Sequence, residues 1–266
     1  MRHDALIVTA GAGMGVDSGL PDFRGKEGFW KAYPVIKHLG LAFEEMANPY
    51  WFEHNPKLAW AFYGHRLNLY RATKPHVGFK RLLALGEKMK FGYGIVTSNV
   101  DGHFRKAGFD SDRIEELHGS INHFQCLNNC GKGIYLAPEK SIQIDKAKFE
   151  ALEIPKCPSC GSTARPNILM FGDFGWDATR SNQQRNNLND WLAKLKTENA
   201  NPLIVEIGAG LDIPTIRLTT ESLAKQFDCN YYRINPRDYQ TTSKGVSIPK
   251  TGVTGIEELI KDFKYN

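Results

Sequence analysis

Gly11-Ala12-Gly13-Met14-Gly15 closes the apolar run Leu6-Ile7-Val8-Thr9-Ala10. A short, continuous apolar run that ends in glycines reads as a strand buried on both faces and turning into a helix. Glycine lets the backbone turn sharply and come close to a pyrophosphate, and a helix start offers N–H groups to an anion. Taken alone, the turn fits nucleotide binding and close packing equally well.

Three further apolar runs, at 93–97, 203–208 and 231–235, have the same character. Between them, 56–71, 77–90, 184–197 and 214–227 have helical spacing, and 255–263 is a last amphipathic helix. Alternation of this kind predicts an α/β fold, a doubly wound, Rossmann-like parallel sheet. Two stretches interrupt it. Residues 26–55 are aromatic-rich without a clean period, and 119–165 hold four paired cysteines and little helical pattern. They predict a smaller lobe inserted into a single domain spanning 1–266. The large lobe takes about 1–25, 75–118 and 167–266, and the small lobe about 26–74 and 119–166.

Composition narrows the class. With 266 residues, 41% hydrophobic and 24% charged, the chain is globular and wholesale disorder is excluded. No stretch approaches the roughly 18 apolar residues of a membrane helix. Met1-Arg2-His3-Asp4 runs into an apolar segment too short for a signal peptide, so a soluble cytoplasmic protein is expected. A net charge of +5 favours anionic ligands. Lysine and arginine form no stripe, which speaks against nucleic acid as a partner.

Cys126-x3-Cys130 and Cys157-x2-Cys160, each pair followed by glycine (Gly131, Gly161), offer four thiolates to one tetrahedral zinc. Two disulfides or four reduced core thiols are the other readings. A closed four-thiolate set is structural, because it leaves no open catalytic position. Cys229 reads as a small buried hydrophobe. Among eight histidines, His118 stands out by preceding Gly119 at the entrance to the cysteine module. An imidazole titrates near neutrality and suits a general base. Asn99 and Asp101 lie just past the second strand, where parallel sheets place ligands and where Asn and Asp also serve as ordinary turn residues.

Asp17-Ser18-Gly19-Leu20-Pro21-Asp22-Phe23-Arg24-Gly25 follows the glycine turn. Further on come Thr97-Ser98-Asn99-Val100-Asp101, Leu117-His118-Gly119, the cysteine pairs, Phe171-Gly172-Asp173, Ile207-Gly208-Ala209-Gly210 and Ile234-Asn235-Pro236. In this order the motifs resemble the sirtuin family of NAD-dependent protein deacylases, over nearly the whole chain. The resemblance implies NAD as co-substrate, one structural zinc per chain, and an acylated protein or peptide lysine as substrate, with release of nicotinamide and O-acyl-ADP-ribose. It makes His118 the catalytic base, with Asn99 and Asp101 beside it. Cofactor contacts fall to Gly11, Ala12, Gly13, Asp22, Phe23, Arg24, Trp30, Ser98, Asn99, Asp101, His118, Gly208, Gly210, Asn235 and Pro236. Phe171 and Gly172 are expected at the substrate.

Four positions depart from the family pattern. Ser98 stands where Gln is usual, Gly15 where Ser is usual, Gly208-Ala209-Gly210 where the turn usually carries hydroxyls, and the first cysteine pair has one extra residue. ADP-ribosyl transfer or NAD hydrolysis, and a non-catalytic NAD sensor, are the alternatives at this point. Tyr63 and Arg66, three apart in a helical segment, share a face. They resemble the Tyr-x-x-Arg pair that grips the distal carboxylate in the branch removing succinyl and malonyl groups. Pro21-Asp22-Phe23 instead follows the ordinary deacetylase pattern.

Overall fold

Strand β1 (Ala5–Ala10) is buried at every position, as a strand covered on both faces must be. The computed structural model describes residues 3–21, 33–34, 37 and 40–264. Asp22, Phe23, Arg24 and Trp30, expected at the cofactor, lie outside the described residues. After β1 come α1 (Gly13–Val16), α2 (Phe43–Met46), α3 (Tyr50–His54) and α4 (Pro56–Ala72). Helix α4 starts where its sequence directs. Pro56 occupies the first turn, and the Asn55 side chain accepts the Leu58 N–H at 3.1 Å. Next are α5 (Val77–Gly86), β2 (Tyr93–Thr97), α6 (His103–Lys106) and β3 (Ile114–Glu116). Short strands β4 (Gly119–Cys126), β5 (Tyr135–Leu136), β6 (Ile144–Asp145), β7 (Glu150–Ala151) and β8 (Ala164–Ile168) follow. The chain finishes with α7 (Thr179–Thr197), β9 (Pro202–Ile207), α8 (Thr215–Gln226), β10 (Tyr231–Ile234), β11 (Gly245–Ile248) and α9 (Gly252–Lys264).

Six strands form one sheet in the order β11-β10-β9-β1-β2-β3, every pairing parallel. Phe79 and Leu82 of α5 and Ile256 and Leu259 of α9 pack on one face. Leu188, Trp191 and Leu195 of α7 and Leu223 of α8 pack on the other. The expected doubly wound sheet is therefore present. The chain runs from β1 to β2 and β3 on one side, then returns to β9 on the other side of β1. That reversal opens a crevice at the carboxyl ends of β1 and β9, where such sheets bind ligands.

A second sheet, β5-β4-β8, and the β6-β7 pair lie outside the first. Trp60, Phe62 and Tyr63 of α4 pack with Phe124 and Ile168 in a separate core. Glu206 and Arg233 sit opposite each other on β9 and β10, and the guanidinium donates to both carboxylate oxygens at 2.5 and 2.9 Å. This pairing is what allows two charges inside an otherwise apolar sheet. Edge strands β3 and β11 carry no apolar run and were not expected. In β3, Glu115 accepts from Arg185 Nε at 2.8 Å and Glu116 accepts from Arg180, so α7 covers both carboxylates. Among the described residues no helix is long and apolar enough to cross a membrane.

Candidate active site

The glycine turns after β1 and β9 meet backbone to backbone. Gly11 N–H donates to Ile207 O and Gly13 N–H to Gly208 O, both at 3.0 Å. Gly208 has φ +65°, and a Cβ there would lie 2.4 Å from the Gly13 carbonyl carbon and the Met14 nitrogen. Close approach, as well as the turn itself, demands glycine. The expected helix start is a single turn whose Gly13, Met14 and Gly15 N–H groups already have carbonyl partners.

Below these turns lies a cavity of about 620 Å3. Gly11, Ala12, Ser98, Asn99, Asp101, His118 and Gly210 line it, together with Tyr63, Arg66, Phe171 and Gly172. Gly13, Gly208, Asn235 and Pro236 line a second cavity of about 210 Å3 on the far side of the turns. Asn99 Nδ2 donates to Gly11 O at 2.9 Å, which ties the end of β2 to the first glycine turn. Asn235 makes three hydrogen bonds within the protein. Its Nδ2 donates to Ala209 O at 2.8 Å, and its Oδ1 accepts the Arg237 and Asp238 N–H groups at 3.0 Å.

His118 occupies the turn between β3 and β4, where the two sheets meet. Its carbonyl accepts the Leu169 N–H at 3.0 Å. Gly119, at φ +75°, would put a Cβ 2.1 Å from Asn167 O, so only glycine lets β4 start so close to β8. Burial holds the imidazole below its ordinary value of 6.5, opposed by a hydrogen bond with the Ser98 backbone. The ring is thus neutral at neutral pH. Burial pushes the Asp101 carboxyl up, opposed by His103, whose N–H it accepts at 2.8 Å.

Tyr63 and Arg66 face the same cavity from α4. Arg66 is 6% exposed, its Nε donates to the Tyr70 hydroxyl at 3.0 Å, and four rings surround its guanidinium at 5.3 to 5.7 Å. The buried Tyr63 hydroxyl has no hydrogen-bond partner among the described residues, and burial raises it to about 12. Across the cavity, Asp173 accepts from Arg165 Nη1 at 2.9 Å and from the Met170 and Gly175 N–H groups at 3.2 Å. Both side chains of that ion pair are at most 2% exposed, and they fold residues 170–175 into a fixed turn carrying Phe171 and Gly172.

The four sulfurs of Cys126, Cys130, Cys157 and Cys160 lie within 4.8 Å of one another, and two of the separations are 3.6 Å. None is in a disulfide. Zinc–thiolate bonds of about 2.3 Å in a tetrahedron require sulfurs roughly 3.8 Å apart, so the cluster fits the ion. No cysteine lines either cavity.

The Sir2 family model matches residues 11–204. The chain belongs to the Sir2 family. It is 37% identical over 172 residues to an NAD-dependent protein deacylase of Pyrococcus furiosus, covering 65% of this chain and 62% of that one. Against an NAD-dependent protein deacylase of Leptospira interrogans it is 30% identical over 269 residues, covering 100% of this chain and 95% of the relative. The fold matches a Sir2 homologue in complex with ADP-ribose at TM-score 0.72 and 24% identity, over 99% of this chain and 93% of the other. A Sir2 homologue–NAD complex matches at TM-score 0.68 and 24% identity, over 99% and 91%.

In this Sir2 protein, sequence reasoning missed Tyr70 and Arg165. The Phe171-Gly172-Asp173 motif had singled out Asp173, but its buried partner comes from β8 and no spacing rule points to it. Gly208→Ala offers a direct test of the paired turns. It adds left-handed strain of about 1–3 kcal/mol and a backbone clash besides. Gly19→Ala, at φ +88° with no described residue within 4 Å of the added carbon, carries the strain without a described clash. Denaturant unfolding is expected to show the Gly208 variant as the less stable of the two. Equal losses would mean that the turns tolerate separation.

Proposed function

We propose that this Sir2-family chain is an NAD-dependent protein-lysine deacylase. The observation that carries the reading is one cavity holding His118, Asn99 and Asp101 at one end and the glycine turns at the other, walled by Tyr63, Arg66 and Phe171. When bound, NAD supplies a ribose carbon that exchanges nicotinamide for the acyl oxygen. The protein's own part is to hold, orient and deprotonate. His118, kept neutral by burial, takes the proton of a ribose hydroxyl. Asn99, fixed by its bond to Gly11, keeps Oδ1 for the amide of the nicotinamide. Asp101 orders water or ribose beside it. Apolar Val100, Ile168 and Met170 line the same space and exclude bulk water from a cationic sugar centre. The four-cysteine cluster is assigned to structure. Reduced thiols also fit a cytoplasmic setting, which we assign to the protein.

Incubation with NAD and an acyl-lysine peptide, read by mass spectrometry, tests the assignment. O-acyl-ADP-ribose supports it. ADP-ribosylated protein, or free ADP-ribose without deacylation, would favour the transferase or hydrolase reading that the Ser98 and Ala209 departures keep in play. Unchanged NAD would favour a sensor.

The acyl group is assigned from Arg66. A buried guanidinium beside a tyrosine hydroxyl that has no partner among the described residues suits a carboxylate at the end of the acyl chain. Succinyl peptides are therefore expected to exceed acetyl peptides in kcat/KM, and Arg66→Met to shift that ratio toward acetyl by about 10-fold or more. An acetyl preference untouched by the mutation would make the pair structural.

A further inference from the structure

A third cavity, of about 480 Å3, shares Tyr70 and Asp101 with the catalytic cavity. Its size is that of a small-molecule site, about 300–1,000 Å3. Neither glycine turn lines it, nor does His118, so it stands outside the dinucleotide crevice. Phe109 and Leu136 give it an apolar surface, and Leu136 is 70% exposed. Its charged lining residues are Arg71, Arg105, Lys106 and Asp101.

Two of the three cations are held by carbonyls. Lys106 Nζ donates to Arg71 O at 2.5 Å and to Thr73 O at 2.7 Å, at the C-terminal end of α4. Arg71 Nη1 donates to Pro138 O at 2.7 Å. A helix C-terminus carries only about half a negative charge, so the pair keeps most of its positive charge. Burial and the nearby Lys74 hold the Lys106 amino group below its ordinary value of 10.5. Arg105 differs from both. It is exposed, and its guanidinium makes no hydrogen bond or ion pair among the described residues. Ser111, exposed as well, adds a hydroxyl. Among the described residues Asp101 is the only acidic group in the lining, and its Oδ1 already accepts the His103 N–H at 2.8 Å.

We propose that this cavity binds a phosphate-bearing small molecule, with the phosphate on Arg105 and the organic part against Phe109 and Leu136. Arg71 and Lys106 supply positive charge already fixed in place, so binding spends little on ordering them. Arg105 supplies two parallel donors to phosphate oxygens. A cationic ligand would meet three like charges here. The site is independent of the deacylase reading, although Tyr70 and Asp101 put its occupant against the wall of the catalytic cavity.

The test is calorimetric titration of the full chain with phenyl phosphate and with inorganic phosphate, in saturating ADP-ribose to keep both probes from the glycine turns. Wild type is compared with Arg105→Gln, Arg105→Glu and Lys88→Gln, an exposed lysine outside the cavity, with thermal melts to confirm folding. Phenyl phosphate is expected to saturate one site per chain and to bind more tightly than inorganic phosphate. Arg105→Glu is expected to weaken it by about 10-fold or more, and Lys88→Gln by about 2-fold or less. Absence of saturable binding overturns the proposal. Equal weakening by Arg105→Gln and Lys88→Gln, which remove the same charge, overturns it as well, because net charge alone would then account for binding. Equal affinity for the two probes would overturn the apolar half of the assignment.

Discussion

Replacing His118 with alanine is expected to lower acyl-lysine turnover by about 10²-fold or more, the range for loss of a positioned general base. ADP-ribose affinity should change far less, because the glycine turns that meet the rest of the ligand are independent of the imidazole. The measurements are kcat/KM on an acyl peptide and direct titration with ADP-ribose. Turnover near the wild-type rate would remove His118 from its role. The protonation state adds a second check. Burial favours the uncharged ring, so the proton leaves at a lower pH than the usual 6.5. The base is then competent throughout the neutral range, and the acid limb of kcat/KM is expected below 6.5. A limb centred above 7 would mean that some other group is titrating.

The large sheet was legible because its central strands are apolar on both faces, and β1, β2, β9 and β10 each end in small or polar residues. Even there the sequence hides something. Glu206 and Arg233 look out of place in buried strands until cross-strand register puts them opposite each other. Register is a long-range property that no local window contains. The edge strands escaped for a related reason, since the buried glutamates of β3 are neutralised by α7, far along the chain. At the site, His118, Asn99 and Asp101 were found through motifs, and the structure brings all three to one cavity. Tyr70 was not, although it is four residues from Arg66 on α4 and bonded to it. Its helical spacing was readable; its chemistry was not, because a tyrosine on an apolar helix face reads as packing. Asn235 adds a structural role that its motif did not disclose: its amide bonds to Ala209, Arg237 and Asp238 and so braces the turn after β10.

Removing the metal is expected to have the largest effect on folding. Cys126 ends β4 opposite Ala164 of β8, and Cys157 N–H donates to Ser162 O at 2.7 Å in the loop that leads into that strand. One ion held by both pairs therefore clamps the open ends of β4 and β8. The same β8 supplies Arg165, which fixes the 170–175 turn, and Ala164 O, which accepts the buried Trp60 indole N–H at 2.9 Å. Without the clamp, disorder has a direct route into the α4 core. Apparent binding free energies of structural zinc sites run to about 10–16 kcal/mol in zinc-finger peptides, more than the whole stability of many domains. Metal analysis is expected to find one zinc per chain, and chelation or Cys157→Ser to lower Tm by about 10 °C or more. A serine hydroxyl does not replace a thiolate, and 2% exposure at Cys157 leaves no room for water to do so. Turnover per folded molecule at low temperature should survive better than stability, because four thiolates leave no open coordination position and none of them touches either cavity. A folded, active protein without zinc would overturn the assignment. A Cys157→Ser variant with unchanged Tm but lost turnover would place the metal in the chemistry instead.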